Sequence, residues 1–393
     1  MAYLKNRAVN RLNIHFGLFA LALNGAGVFF VVFLLKAGVP TPYVFGAIAL
    51  IVTVRFICRP LVLMLAPRTG LRTLLIFGTI LCSLQYPILA EVHGLDWMLL
   101  AFCLTGALGD TFYWTNYHAY FATLGDSEHR GHQIGAREAI GSIAAIIGPL
   151  LGGWALISLG PRVAFGAAAI VNVLAALPLL GAPEVPVKKY VPGVFRAALP
   201  GIMLFAADAW IAVGYIFAWQ IALFLSLGES FSAFGVAMAL AALVGAISGL
   251  ILGKHIDAGR GGGAVWLTFT SLVAVTVLRA FSTTSAELAV IANALGALVG
   301  CLYIPTLMTS VYNQAKRSPC PLRFHVAAEG GWDIGCAAAC LVVAGLSAAG
   351  VPLAAGILSS LAGTVLFLAV LRNYYANGES FAEAPVRQSA PGV

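Results

Sequence analysis

The side chains that could do chemistry in this protein are few, and most of them lie within long hydrophobic stretches. Residues 109–121 read "GDTFYWTNYHAYF" and carry Asp110 and His118 among aromatic side chains. Three further acids, Asp208, Glu329 and Asp333, lie in similar surroundings. A carboxyl group or an imidazole removed from water can take up and release a proton near neutral pH. The sequence therefore predicts proton exchange at these five residues.

Helical spacing places part of this set on one face. Asp110, Trp114, Tyr117, His118 and Phe121 recur at the spacing i, i+4, i+7, i+8 and i+11, which is typical of a single helix face. We expect this face to point into a central cavity. The alternatives are structural: the acid could be held by an arginine, and the histidine could bond to a neighbouring helix.

Two arginines provide the complementary charge. Arg55 and Arg59 are four residues apart, as are Glu329 and Asp333, so each pair shares a helix face. Arg55 could pair with an acid or bind an anionic group of a substrate. Arg59, nearer the cytoplasm, could extend along the helix to the aqueous surface.

The mixture of arginine and aromatic rings predicts an amphipathic organic solute, anionic and ring-bearing. Ordinary packing remains the alternative for the three tryptophans. The predicted substrate-binding residues are Asn24, Arg55, Tyr113, Trp114, Tyr117, Tyr215, Trp219 and Trp332.

The elements that position these residues follow from composition. The chain has 393 residues, of which 61% are hydrophobic and only 9% are charged. A soluble protein of this length could not bury so much apolar surface. Continuous apolar runs of about 20 residues predict membrane-spanning helices. We expect twelve, at about 14–35, 43–65, 73–91, 97–121, 138–159, 163–181, 198–225, 231–252, 264–281, 286–311, 325–348 and 352–372.

The basic residues predict the orientation. Most lysines and arginines fall near the N-terminus, in the even-numbered connections or in the C-terminal tail, whereas the opposite side shows only Lys36 and Arg162. The positive-inside rule then places both termini in the cytoplasm. The net charge of +7 reflects this topology and predicts no nucleic-acid partner. We expect a multi-pass protein of a bacterial inner membrane, and a monomer.

Weak internal repeats divide the chain into two halves. "FGAIAL" at Phe45 corresponds to "FGVAMAL" at Phe234, and "ALGDTFY" at Ala107 corresponds to "ALVGCLY" at Ala297, at offsets of about half the chain. The fold class predicted is an all-α membrane protein, with two parallel-repeat six-helix bundles around a central cavity. The predicted boundaries are 1–181 for the first bundle, 182–197 for a cytoplasmic linker, 198–375 for the second bundle and 376–393 for a disordered cytoplasmic tail.

Two motifs resemble those of the major facilitator superfamily. The loop "APRTGLR", residues 66–72, and its counterpart "GKHIDAGR", residues 253–260, are similar to the family's cytoplasmic loop signature, although Pro67 replaces the acid in the first. "GPLLGG", residues 148–153, resembles a motif of the family's antiporters. The resemblance implies loops that hold the two halves in one state, and it favours export. Close helix packing is the plainer interpretation of the second motif.

We also expect gating residues in the loops and at the neighbouring helix ends. The loop after the fourth span contributes a further charged cluster to these gating residues. These residues are Arg59, Arg68, Arg72, Arg130, Arg137, Glu138, Asp257 and Arg260.

The function predicted is secondary active transport of a small organic solute by alternating access, coupled to protons. A proton-coupled importer, an uncoupled uniporter and a non-transporting receptor or scaffold are the alternatives. The protein is not expected to be an enzyme, because no nucleophile–base or phosphate-binding motif is found. The seven cysteines have no spacing typical of zinc or disulfides, and no metal or cofactor is expected. The expected partners are the solute, protons and the lipid bilayer.

Overall fold

A computed structural model describes residues 6–124, 130–187, 191, 193–256 and 261–376, and the regular structure of these residues is helical throughout. The twelve long helices are α1 Arg7–Lys36, α2 Thr41–Thr69, α3 Leu71–Ala90, α4 Trp97–Leu124, α5 Arg130–Ser158, α6 Pro161–Leu180, α7 Val194–Ser226, α8 Phe231–Ile256, α9 Gly261–Ser282, α10 Ala286–Arg317, α11 Pro321–Ala348 and α12 Leu353–Tyr374.

The lengths and hydropathy of these helices match a membrane. Eleven of those described are long and apolar enough to cross one. The twelfth is α4, a 28-residue helix that carries the polar stretch around Asp110 and His118. The prediction of an all-α fold with twelve helices is confirmed. Several helices extend beyond the predicted spans: α2 reaches Thr69 and α10 reaches Arg317.

The two halves of the chain pack in equivalent ways. In the N-terminal half α1 packs against α5 and α6, and in the C-terminal half α7 packs against α11 and α12. The most extensive contacts between the halves are those of two helix pairs, α2 with α11 and α5 with α8. An exchange of the halves converts one pair into the other, as a parallel repeat requires.

Glycines of α5 bring three helices together. A Cβ atom on Gly148 would lie 2.8 Å from the Cβ of Asn24, and one on Gly152 would overlap the carbonyl oxygen of Gly25 on α1. A Cβ atom on Gly153 would overlap with α8 at 3.3 Å or less, at Phe231 and Ser232. The "GPLLGG" segment therefore lies between α1 and α8, where only small residues allow this approach.

Aromatic rings join the halves at the end where α1 and α7 terminate. Phe29 of α1 contacts Phe234 of α8 across the halves with ring centroids 5.5 Å apart, and Phe224 of α7 packs on Phe231 of α8 within the C-terminal half at 5.3 Å. Phe29, Phe224 and Phe234 are fully buried. An exposed ion pair between Lys36 and Glu229, 2.9 Å long, connects the halves at the same end. This end of the interface is therefore packed together.

Candidate functional site

The strongest group of charges lies where α2 packs against α11. Arg55 and Arg59 on α2 face Glu329 and Asp333 on α11, so two pairs with the same four-residue spacing meet. Nε and Nη2 of Arg55 each lie 2.5 Å from Oδ1 of Asp333. Arg59 donates from Nε to Oδ2 of the same carboxylate, and from Nη1 to Glu329 at 2.6 Å. The pairing joins the two halves of the chain.

A third acid joins this group from α4. Asp110 lies 3.5 Å from Nη1 of Arg55, the longest ion pair in the group. Its side chain is 31% exposed, whereas that of Asp333 is fully buried. Thr115, one turn along α4, donates to Oε2 of Glu329 at 3.0 Å and accepts from Arg59 at 3.1 Å. We refer to Arg55, Arg59, Asp110, Glu329 and Asp333 as the ionic cluster.

The ionic cluster holds two guanidinium groups and three carboxyl groups. With every group ionised it therefore carries one surplus negative charge. Burying an unpaired charge costs several kcal/mol, because the interior replaces its hydration poorly. Uptake of one proton would neutralise the surplus.

The expectation that Arg59 extends to the cytoplasmic surface is wrong. Only 5% of Arg59 is exposed, because Glu329 and Asp333 of α11 bind its guanidinium inside the interface. Sequence spacing alone could not identify these partners, which lie 270 and 274 residues away along the chain.

Trp332 connects the ionic cluster to Asp208. The guanidinium carbon of Arg55 lies 4.8 Å from the centroid of the Trp332 ring, and the indole Nε1 donates to Oδ2 of Asp208 at 3.0 Å. Tyr303, which was not predicted from the sequence, donates to Oδ1 of Asp208 at 2.5 Å. Among the described residues no cation forms an ion pair with Asp208. Its carboxylate is satisfied by neutral donors from α10 and α11.

His118 lies at the contact between α4 and α11. Its ring stacks with Trp114, with centroids 5.9 Å apart, and with His325 of α11 at 6.5 Å. His325 precedes Glu329 by one helical turn, so this histidine pair adjoins the ionic cluster. Thr115 and His325 were also missed from the sequence, since neither forms a pattern visible along a single helix.

Tyr113 and Tyr117 lie elsewhere. Both are fully buried in the N-terminal half, where Tyr113 stacks on Phe19 with centroids 3.7 Å apart and lies 5.7 Å from His15. Tyr117 stacks on Phe16 at 5.5 Å. The predicted common face of α4 therefore divides. Asp110 and His118 belong to contacts with α2 and α11, and Tyr117 belongs to the contact with α1.

A separate cavity of about 250 Å³ contains the other predicted substrate residues. Asn24 of α1 and Tyr215 and Trp219 of α7 line it, together with residues of α5, α8 and α10. Arg279 also lines it and was not among the residues predicted from the sequence. The signal was available: a lone arginine near the end of the ninth apolar run, on the side where few basic residues occur.

The predicted gating residues occupy several places. Arg72, at the start of α3, lies 3.3 Å from Glu184 of the linker, whose carboxylate also accepts from the backbone N–H of Arg72 at 2.8 Å. Glu184 thus supplies an acid next to the loop in which Pro67 replaces the expected one. Arg68 is exposed at the end of α2.

Arg137 of α5 has contacts within the N-terminal half. Its guanidinium carbon lies 5.4 Å from the ring centroids of Phe16 and Phe121, and it hydrogen-bonds to the exposed Glu138. Asp257, Arg260 and the side chain of Arg130 lie outside the described residues. The gating role of all these residues stays a prediction.

Comparisons with known proteins agree with this architecture. Residues 14–319 match the family model of the Major Facilitator Superfamily. The fold is similar to the crystal structure of the human organic anion transporter MFSD10 (TETRAN), with a TM-score of 0.66 and 17% sequence identity. That similarity covers 93% of this chain and 98% of the human one. No curated protein sequence matches the chain.

Proposed function

Since the chain belongs to the Major Facilitator Superfamily, whose members are membrane transporters, we propose that it moves a small organic solute by alternating access, coupled to protons. The observation that carries the coupling is the ionic cluster, in which three acids share two arginines across the contact between the halves. Residues 1–181 and 198–375 are the two moving bundles, and residues 182–197 link them.

Asp110 is the acid that takes up the proton. It has the longest ion pair of the ionic cluster and the most exposed carboxyl group, so arginine holds its charge least tightly, while Asp333 stays between two arginines. With Asp110 protonated, two arginines face two carboxylates and the cluster is neutral. The neutral form favours the packed interface, and loss of the proton favours exposure of the surplus charge to water.

Neighbouring polar groups extend this pathway. His118 and His325 lie beside Glu329, and Trp332 connects Arg55 with Asp208 and Tyr303. These groups provide hydrogen-bonding positions on both sides of the ionic cluster. Asp208, Glu329, Asp333 and His118 are proposed to adjust their protonation as Asp110 loads and releases.

Export from the cytoplasm is the direction we propose, based on the antiporter-like "GPLLGG" motif. We propose that both termini lie in the cytoplasm, because the basic residues concentrate on one side, and that the membrane is a bacterial inner membrane. The protein acts as a monomer. The solved relative is named an organic anion transporter, which agrees with the arginine-rich and aromatic lining predicted for this chain.

The test uses purified protein in vesicles with an imposed pH gradient. A thermal-shift screen of organic acids, amino acids, sugars and amines first identifies a solute that stabilises the protein. Flux of that solute should then depend on the pH gradient and run opposite to the protons, and its addition should move protons. Asp110→Asn should abolish the dependence on the gradient. Glu91→Gln, which removes an exposed acid paired with Arg162, is the matched control.

Three other results would contradict the proposal. Flux that ignores the gradient in both the wild type and Asp110→Asn indicates a uniporter. Solute flux in the same direction as the protons indicates a proton-coupled importer. Binding without flux indicates a receptor or scaffold.

A further inference from the structure

Arg279 of α9 is a buried cation for which the described part of the chain offers no anion. Only 4% of it is exposed, and no carboxylate among the described residues lies within ion-pair distance. Its hydrogen bond within this part of the chain runs from Nη1 to the carbonyl oxygen of Tyr215, at 2.5 Å. Its Nε is buried without an acceptor. The guanidinium therefore keeps its positive charge and most of its donors unsatisfied.

The surroundings of Arg279 differ from those of the other buried arginines. Arg55 and Arg59 each contact two acids. Arg279 instead lies between aromatic rings, with its guanidinium carbon 4.0 Å from the centroid of Tyr215 and 4.9 Å from that of Trp219. Such rings attract a cation weakly compared with a carboxylate. They position the charge without neutralising it.

Several contacts fix these rings in place. The hydroxyl group of Tyr215 donates to the carbonyl oxygen of Gly296, and Trp219 Nε1 donates to Oδ1 of Asn293, both at 3.0 Å. Asn293 in turn donates to the carbonyl oxygen of Ala237 at 3.0 Å. Tyr215 lies in a π-helical segment of α7, Val213–Ala218, a local geometry that is frequent at functional sites.

Gly296 provides the space for the guanidinium. A Cβ atom on this residue would overlap Nη2 of Arg279 and would lie 2.6 Å from its central carbon. Any larger residue would displace the charge. Gly296 of α10 therefore leaves the room in the cavity wall that the guanidinium of Arg279 on α9 occupies.

We propose that Arg279 binds the carboxylate of a small organic monoanion in the cavity of about 250 Å³. The inference rests on the proposed transport function and names its substrate class. One cation without a counter-charge is neutralised by one negative charge, and a guanidinium binds a planar carboxylate with two parallel hydrogen bonds. The rest of the solute lies against Met238, Ala241, Ala242 and Ile216, which favour an apolar body.

The cavity receives residues from both halves. Asn24 and Pro149 belong to the N-terminal half, and Arg279 to the C-terminal half. A monoanion bound at Arg279 would therefore lie between the moving bundles. The proton site in the ionic cluster is a different group of residues, so solute and proton would bind separately.

The experiment measures binding to the full-length protein in detergent by calorimetry, without a membrane or a gradient. The probes are benzoate, phenylacetate and hexanoate, each beside its neutral amide, together with benzylamine, phenyl phosphate and sodium chloride. At least one carboxylate should bind at least about tenfold more tightly than its amide, because a charge-assisted hydrogen bond is roughly twice as strong as a neutral one. Arg279→Gln should remove that difference.

Two further variants separate binding from folding. Gly296→Ala keeps the arginine but displaces it, and should weaken carboxylate binding while the amide is affected little. Arg372→Gln is the matched control, because Arg372 also lies over a tryptophan, 5.5 Å from the Trp266 ring, but on the exposed surface of α12. Its carboxylate binding should equal that of the wild type.

Several outcomes would overturn the inference. One is that every carboxylate binds as tightly as its amide, and another is that phenyl phosphate, benzylamine or chloride binds at least as tightly as the carboxylates. A third is that Arg279→Gln leaves carboxylate binding unchanged. Because binding at equilibrium requires no pH gradient, these results leave proton coupling untouched. Intact carboxylate binding with flux that ignores the gradient would contradict the proposed coupling alone.

Discussion

Arg55 and Asp333 are 278 residues apart in the chain, and their side chains meet at 2.5 Å between α2 and α11. Asp333 is fully buried and also accepts from Arg59, so one carboxylate binds two guanidinium groups. This pairing joins the two halves of the protein by charge inside their interface. The two arginines and the carboxylate therefore depend on each other for their stability.

Removal of the carboxylate from Asp333 should destabilise the protein strongly. We expect Asp333→Asn to lower the free energy of unfolding by about 3–5 kcal/mol, because two buried guanidinium groups lose a shared partner. Thermal denaturation in detergent measures the effect. Glu229→Gln, which breaks the exposed pair with Lys36, should cost at most about 1 kcal/mol. Equal effects of the two substitutions would contradict the importance assigned to the buried pairs.

The two kinds of buried arginine should respond differently to replacement by an apolar residue. Arg59→Met leaves Glu329 and Asp333 with one partner fewer and should lower the thermal midpoint markedly. Arg279→Met removes a cation that has no counter-charge in the described part of the protein, so we expect the midpoint of the ligand-free protein to stay within a few degrees of wild type. A larger decrease of the thermal midpoint in Arg279→Met than in Arg59→Met would indicate that a carboxylate of the protein itself pairs with Arg279.

Asp110 should determine how binding depends on pH. In the wild type we expect the affinity for a transported solute to change between mildly acidic and mildly alkaline conditions, because the charge of the ionic cluster changes with the proton. In Asp110→Asn the affinity should be nearly constant over the same range. Calorimetry at several pH values measures it. A pH profile that survives the substitution would assign the proton to another acid.

Gly152 should tolerate no side chain. A Cβ atom there would overlap the carbonyl oxygen of Gly25, so Gly152→Ala forces α1 and α5 apart at a cost of about 1–3 kcal/mol. Gly166 on α6 is the matched control, since a Cβ atom there meets nothing within 4 Å. Gly166→Ala should be neutral or slightly stabilising in the same thermal denaturation assay. Similar midpoints for the two variants would contradict the close packing of α5 on α1.

Glu184 should hold the linker on the N-terminal half. It accepts from Thr73 and from the backbone of Arg72, so Glu184→Gln weakens two charge-assisted contacts. We expect trypsin to cleave the linker a few times faster at Lys188 or Lys189, in line with a loss of about 1 kcal/mol. Glu91→Gln, at the other end of α3, should leave cleavage unchanged. The same cleavage rate in both variants would indicate that the linker is held by other contacts.

The fold could be predicted because it follows from one local property. Apolar runs of membrane length occur twelve times. Each must form its own backbone hydrogen bonds in lipid, so each is expected to be a helix. The half-chain repeat predicted two bundles in the same way. The pairs Arg55 with Arg59 and Glu329 with Asp333 were also visible, since a four-residue spacing is a local pattern.

The partners of these residues were not visible. A helix face is defined by its own sequence, but what it contacts depends on how helices pack, and α4 shows the difference. Its aromatic and ionisable residues suggested one face, whereas the structure divides them between α1 on one side and α2 and α11 on the other. Thr115, Tyr303 and His325 take part in the site through contacts that no single helix encodes.

The sequence by itself determined the solvent, the number of helices, the repeat and the residues that carry charge in the membrane, because these depend on composition and spacing along the chain. Only the tertiary structure decided which charges neutralise each other. Arg55 and Arg59 have acids across the interface, whereas Arg279 has none among the residues that the structure describes, although all three look alike in a hydrophobic run. The reason is that an ion pair acts over a few ångströms, a distance set by helix packing and not by separation along the chain.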